Sequence, residues 1–132
     1  MYNFLAESLS YKVFSHEDYV YLKKKSNCHF PDKYDRNDIT IGWIYGNPTG
    51  AIITHNEKHV IIAGCGLVIF DVLKAQGIQL FAEPNNITWT NALHQEDTDD
   101  IDSEFRYVVY SDKSIPQVFK MSIFTQEVLL LS

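Results

Sequence analysis

Cysteine is scarce. Cys28 and Cys65 are the only two in 132 residues, and neither has the spacing of a disulfide framework or a zinc site. That argues against a disulfide-stapled secreted scaffold and for a reducing cytoplasm with both thiols free, a single disulfide between them being left open. Long apolar runs are also missing. The longest, Val60 to Phe70, contains Gly64 and Gly66 and stops at Asp71, whereas a membrane-spanning helix needs about 20 apolar residues. Met1 to Glu7 has neither a basic segment nor a sustained apolar one, so no secretory signal is expected there. Gly64-x-Gly66 lacks the third glycine and the strand–helix context of a nucleotide fingerprint. No stretch of 10–15 residues between the β-prone runs has a helical pattern, which argues against a parallel βαβ sheet.

What is present is strand material. Hydrophobic residues make up 45 % and charged residues only 21 %, so the chain is not mainly disordered, and its length suits one domain spanning 1–132. Ile39–Tyr45, Ala51–His55, His59–Ala63, Leu67–Val72, Ile78–Ala82 and Ile87–Thr90 are β-prone runs separated by turn chemistry. The glycines flanking Cys65 allow the positive φ of a tight hairpin. Phe105–Tyr110, Gln117–Phe124 and Glu127–Leu131 extend the pattern, and the apolar run Val128–Leu131 is expected to be buried. Tyr11–Phe14 and Asp18–Leu22 alternate like strands, although Ser15-His16-Glu17-Asp18 also resembles a helix start; Asn27–Asp38 reads as a long loop. The fold expected is all-β, a mainly antiparallel meander forming a sandwich, a small barrel or a propeller-like sheet, with at most one short helix.

Charge is concentrated in one place. Six of the nine residues from 96 to 104 are carboxylates: Glu96, Asp97, Asp99, Asp100, Asp102 and Glu104. The chain has 17 acidic and 11 basic residues, so without these six it would balance at 11 against 11. Such a run is expected to be a solvated loop. An EF-hand reading from Asp100 fails, because Phe105 stands where the glycine belongs and Ser111 where the final Glu belongs. Catalytic carboxylates are disfavoured, since they occupy clefts that perturb their pKa. An electrostatic docking site for a basic partner suits the run better, and a merely solubilising loop is the plain alternative.

Other candidates are thinner. His55 and His59 flank a turn and could hold zinc only with a third ligand, for which Cys28-His29 is the available source. Cys65 would need a base and a lowered pKa to be a nucleophile; a small buried turn residue is the simpler reading. Lys23-Lys24-Lys25, with Tyr19, Tyr21 and Phe30 nearby, is the best argument for nucleic acid, but it is a poor footprint against a net charge of −6. Trp43 and Trp89 are expected in the core unless exposed beside the acidic run. No enzyme, metal or cofactor is called for.

In profile the chain resembles the immunity proteins of bacterial contact-dependent growth inhibition and related polymorphic toxin systems. The run Glu96 to Glu104 and the neighbouring aromatic strands carry that resemblance. It implies a small cytoplasmic protein that binds and neutralises a basic toxin domain, commonly a nuclease. Trp43, Tyr45, Tyr107 and Tyr110 would be its desolvated anchors beside the six carboxylates. The reading from another class is a β-barrel or sandwich that binds a ligand, a carbohydrate or single-stranded nucleic acid. Long apolar strands also allow an edge-to-edge homodimer.

Overall fold

The computed structural model describes residues 2–27, 30, 33–110 and 115–131, and for residues 27, 86 and 110 the backbone alone. It consists of three four-stranded antiparallel meanders and one short ribbon. The first sheet is β1 (Tyr2–Glu7), β2 (Tyr11–His16), β3 (Tyr19–Lys24) and β4 (Ile39–Trp43). The middle sheet is β5 (Gly50–Ile53), β6 (His59–Gly64), β7 (Gly66–Asp71) and β8 (Gln76–Leu80). A ribbon, β9 (Ala82–Glu83) and β10 (Asn86–Ile87), leads to the third sheet. That sheet is β11 (Thr90–His94), β12 (Glu104–Tyr110), β13 (Pro116–Ser122) and β14 (Val128–Leu130). One 3-10 turn, Lys25–Asn27, is the only helical element among the described residues. The all-β expectation therefore holds, as three open sheets and not as a barrel.

The apolar run in the middle of the sequence has a simple cause. Neighbouring strand residues point to opposite faces, and both faces of β6 and β7 in the middle sheet are covered. Val60, Ile62, Val68 and Phe70 pack against Val13, Val20 and Leu22 of the first sheet. Ile61, Ala63, Leu67 and Ile69 pack against Phe105, Tyr107, Met121 and Ile123 around the third. A strand buried on both faces reads as continuous hydrophobicity instead of alternation. Each such fully buried aliphatic side chain contributes about 1.5–3 kcal/mol relative to exposure. The first strands β1, β5 and β11 lie beside one another, so the three meanders resemble successive propeller blades.

Several sequence expectations are corrected. Glu17 and Asp18 begin no helix; both have positive φ (52° and 68°) and form the two-residue turn joining β2 to β3. Val128–Leu131 is exposed, because β14 is an edge strand with no layer outside it. The first strand, β1, is an addition; its register with β2 shifts between Phe4 and Ala6, which breaks the alternation that would mark it.

Candidate functional site

The acidic run joins β11 to β12 and is locked by its own hydrogen bonds. Gln95 Nε2 donates to the carbonyls of Ile101 and Glu104, each at 2.8 Å. The Asp102 carboxylate accepts from the Asn56 N–H at 2.8 Å, tying the run to the β5–β6 turn. Glu104 accepts from the Asp100 N–H at 3.0 Å and lies 3.6 Å from Lys120 Nζ. Glu96 sits 3.7 Å from the His94 ring.

Asp99 departs from the expected solvated loop, being only 7 % exposed. Register places Arg106 opposite Lys120 across β12 and β13, and Asp99 folds back onto that pair. Its carboxylate accepts from Arg106 Nε at 2.9 Å and Nη2 at 3.0 Å, and from the Glu96 N–H at 2.9 Å. Among the described residues, six carboxylates thus face two cations, Arg106 and Lys120, leaving four negative charges on the corner. Asp97 and Asp100 are exposed and Asp102 is half-buried.

The Arg106 guanidinium holds the Asp99 carboxyl below its ordinary range, helped by the Glu96 N–H. A depressed carboxylate stabilises the fold above its unfolded pKa, and that stability is lost as pH falls through the folded value. Denaturant midpoints should therefore be flat from pH 7 to about 5 and fall as acid takes the pH below the ordinary carboxylate range. In Asp99→Asn the part of the fall due to this group should disappear; an identical acid limb in the variant would contradict the assignment.

The aromatic anchors are distributed differently from the sequence expectation. Trp43 and Tyr45 are 50 % and 57 % exposed, and Trp89 is similarly open. The three make one cluster, with ring centroids 5.9 Å apart for Trp43–Tyr45 and 6.2 Å for Tyr45–Trp89. They are not core residues. Nor do they adjoin the acidic run: Trp89 bridges to Cys65 at one end of β6, while Asp102 contacts Asn56 beyond the other. Six strand residues at about 3.3 Å each separate the two groups by roughly 20 Å. Tyr107 is 3 % exposed, in the core between the middle and third sheets, and burial pushes its hydroxyl up to about 12. It is unavailable as an exposed anchor. The side chain of Tyr110 lies outside the described residues.

Sequence reasoning singled out Tyr19 and Tyr21 but missed the rest of the aromatic surface to which they belong. On the outward face of the first sheet, Tyr2 stacks on His16 at 4.2 Å, Phe14 meets Tyr21 at 5.4 Å, and Tyr21 meets Tyr34 at 4.7 Å. The signal was the alternation of rings at 2/4, 14/16 and 19/21, which β2–β3 register brings into rows.

The remaining candidates do not assemble. Lys23 is fully buried, with Nζ 2.9 Å from both Asp38 carboxylate oxygens and 3.6 Å from Asp35. Lys25 pairs with Glu7 and donates to the Ser8 carbonyl at 2.7 Å. Two of the three lysines of the basic cluster are thus engaged internally, which weakens the nucleic-acid reading. His59 is buried while His55 is exposed, and Cys28-His29 lies outside the described residues. Among the described residues no three His, Cys, Asp or Glu side chains converge on a metal position. Cys65 is buried in its turn. No protein-family model matches the chain, and no curated protein matches it either.

Proposed function

We propose that the chain binds and neutralises a basic protein domain in the cytoplasm, docking it through the corner formed by residues 96–104. The observation that carries this reading is the surplus of four negative charges on a segment already locked by internal hydrogen bonds. A preordered segment pays little further entropy on association. Its field steers a cationic partner and sets register more than it adds affinity. The profile resemblance to immunity proteins makes a toxin domain, commonly a nuclease, the partner of choice: a groove built to hold phosphate is positive. Trp43, Tyr45 and Trp89 supply apolar contact area at the other end of the middle sheet. An ordinary interface of about 800 Å² per partner is roughly 30 Å across, wide enough to include both ends.

The test is binding to a basic nuclease domain encoded beside this chain's gene, across a salt series. Changing Glu96, Asp97, Asp100 and Asp102 to Gln or Asn, with Asp99 and Glu104 kept for structure, should slow low-salt association by about tenfold or more. Affinity should fall with salt in the parent and hardly at all in the variant. Absence of binding at low salt would remove the proposal. Unchanged association in the variant would remove the corner's part in it.

The aromatic face of the first sheet favours a second reading, a module that binds carbohydrate through Tyr19, Tyr21 and Tyr34. Retention on immobilised polysaccharide, abolished by Tyr19→Ala, would support that reading.

A further inference from the structure

A cleft of about 340 Å³ opens between the β9–β10 ribbon and the third sheet, lined by Phe81, Thr88, Tyr107, Val109, Phe119 and Val128. It differs from the acidic corner in every chemical respect. None of these residues is charged, and three aromatic rings form one wall in series. Phe81 and Tyr107 have centroids 6.5 Å apart, and Tyr107 and Phe119 are nearly parallel at 5.5 Å. The Tyr107 ring is almost wholly buried, yet neither its hydroxyl nor that of Thr88 has a hydrogen-bond partner among the described residues. The other nearby threonines are engaged: Thr49 donates to the Thr90 carbonyl, and Thr90 to Gly66. Tyr107 and Thr88 both line the cleft, so their hydroxyls are available to a polar atom of a guest.

We propose that this cleft is a binding site for a small neutral aromatic compound of two fused rings carrying one hydroxyl or N–H. Size, shape and polarity each contribute. An apolar cavity of about 150 Å³ holds benzene, so this volume suits a bicyclic ring system. Ligand sites generally begin near 300 Å³ and combine apolar walls with a few polar groups. A planar guest extends the ring series at the offset spacing that aromatic pairs prefer, about 4.5–7 Å. The Tyr107 and Thr88 hydroxyls can each donate or accept one bond to the guest's polar atom. A carboxylate or ammonium is disfavoured, because the residues lining the cleft offer it no countercharge. Val128, on the exposed edge strand β14, stands at the mouth.

The probe is 2-naphthol, titrated calorimetrically into the full chain at pH 7, with 2-naphthoate as its charged counterpart. Saturable one-to-one binding of 2-naphthol is expected, with 2-naphthoate at least tenfold weaker. Tyr107→Phe, which removes only the hydroxyl, should weaken 2-naphthol about three- to tenfold. Val128→Trp, at a surface position, should fill the mouth and weaken it by tenfold or more. Thr88→Val gives a second hydroxyl deletion should either variant fail a near-ultraviolet circular dichroism check of folding. The proposal is overturned if 2-naphthol shows no saturable heat, if both compounds bind equally, or if folded Val128→Trp binds as the parent does.

Discussion

Lys23→Met is expected to cost about 3–5 kcal/mol of folding stability, the usual penalty for removing one member of a buried ion pair. The cause is what remains. Lys23 extends from β3 under the segment 33–38, where its ammonium donates to both oxygens of Asp38 and stands 3.6 Å from Asp35. All three side chains are almost completely inaccessible. Methionine fills the stem's volume but takes the ammonium away from the Asp38 carboxylate, and from Asp35 beside it, in a poorly hydrated place. The ammonium also lies 5.7 Å above the Phe14 ring, a contact the thioether would not replace in kind. A melting temperature lower by roughly 10–25 °C follows for a chain of this size. Adding Asp35→Asn and Asp38→Asn should restore most of the loss. The amide oxygens can still accept from the Asn37 and Asp35 N–H groups, which these carboxylates now satisfy. A single variant within about 1 kcal/mol of the parent would show that the cluster is hydrated and not buried.

Gly66→Ala should be worse, with a loss of about 4 kcal/mol or more and little folded protein. Gly66 starts β7 at φ +72°, a conformation unfavourable for an L side chain. An added Cβ would also overlap the Leu80 carbonyl oxygen and come within 3.1 Å of Ala82 Cβ and the Phe81 carbonyl carbon. The obstacle is backbone on two sides, so nothing can rotate away. Movement is resisted further, because the Gly66 N–H donates to the Thr88 carbonyl at 2.8 Å and its carbonyl accepts from Thr90 at 2.7 Å. Gly42→Ala, where a Cβ would meet nothing within 4 Å, is the matched control. Parallel denaturant titrations of the two variants should differ by several kcal/mol; similar midpoints would mean that the turn relaxes.

These two sites show what a sequence can and cannot disclose. The hairpin at Gly64–Gly66 was legible because a chemical rule, positive φ without a Cβ, acts within three residues. The central strands were legible for the same local reason, with β-branched runs cut at regular intervals by turn residues. Lys23 was not legible. Its partners lie twelve and fifteen residues onward, and a lysine in a basic cluster is normally solvated. Asp99 was hidden in the same way inside a run of carboxylates that looks uniform. Only the pairing of β12 with β13 sets Arg106 beside Lys120 and makes a place for one of the six. Val128–Leu131 misled in the opposite direction: composition reports hydrophobicity, whereas burial depends on whether another layer lies outside. Glu17-Asp18 misled because acidic residues after a serine suit a helix start and a tight turn alike. The separation of Trp43 and Tyr45 from the acidic run was beyond sequence altogether, since it depends on which end of β6 each of them borders.

Strands β6 and β7 have no side of their own that meets water, and this matters while the chain is being made. Residues 60–70 leave the ribosome with one wall available, from residues 13–22, and wait for the other until residues 105–123 have followed. For that interval a pair of sticky, β-prone strands stands half uncovered, the state in which nascent chains associate wrongly. Slow translation through residues 71–104 would lengthen the exposure, so a cell making this protein gains from a chaperone that shields apolar strands over just that stretch.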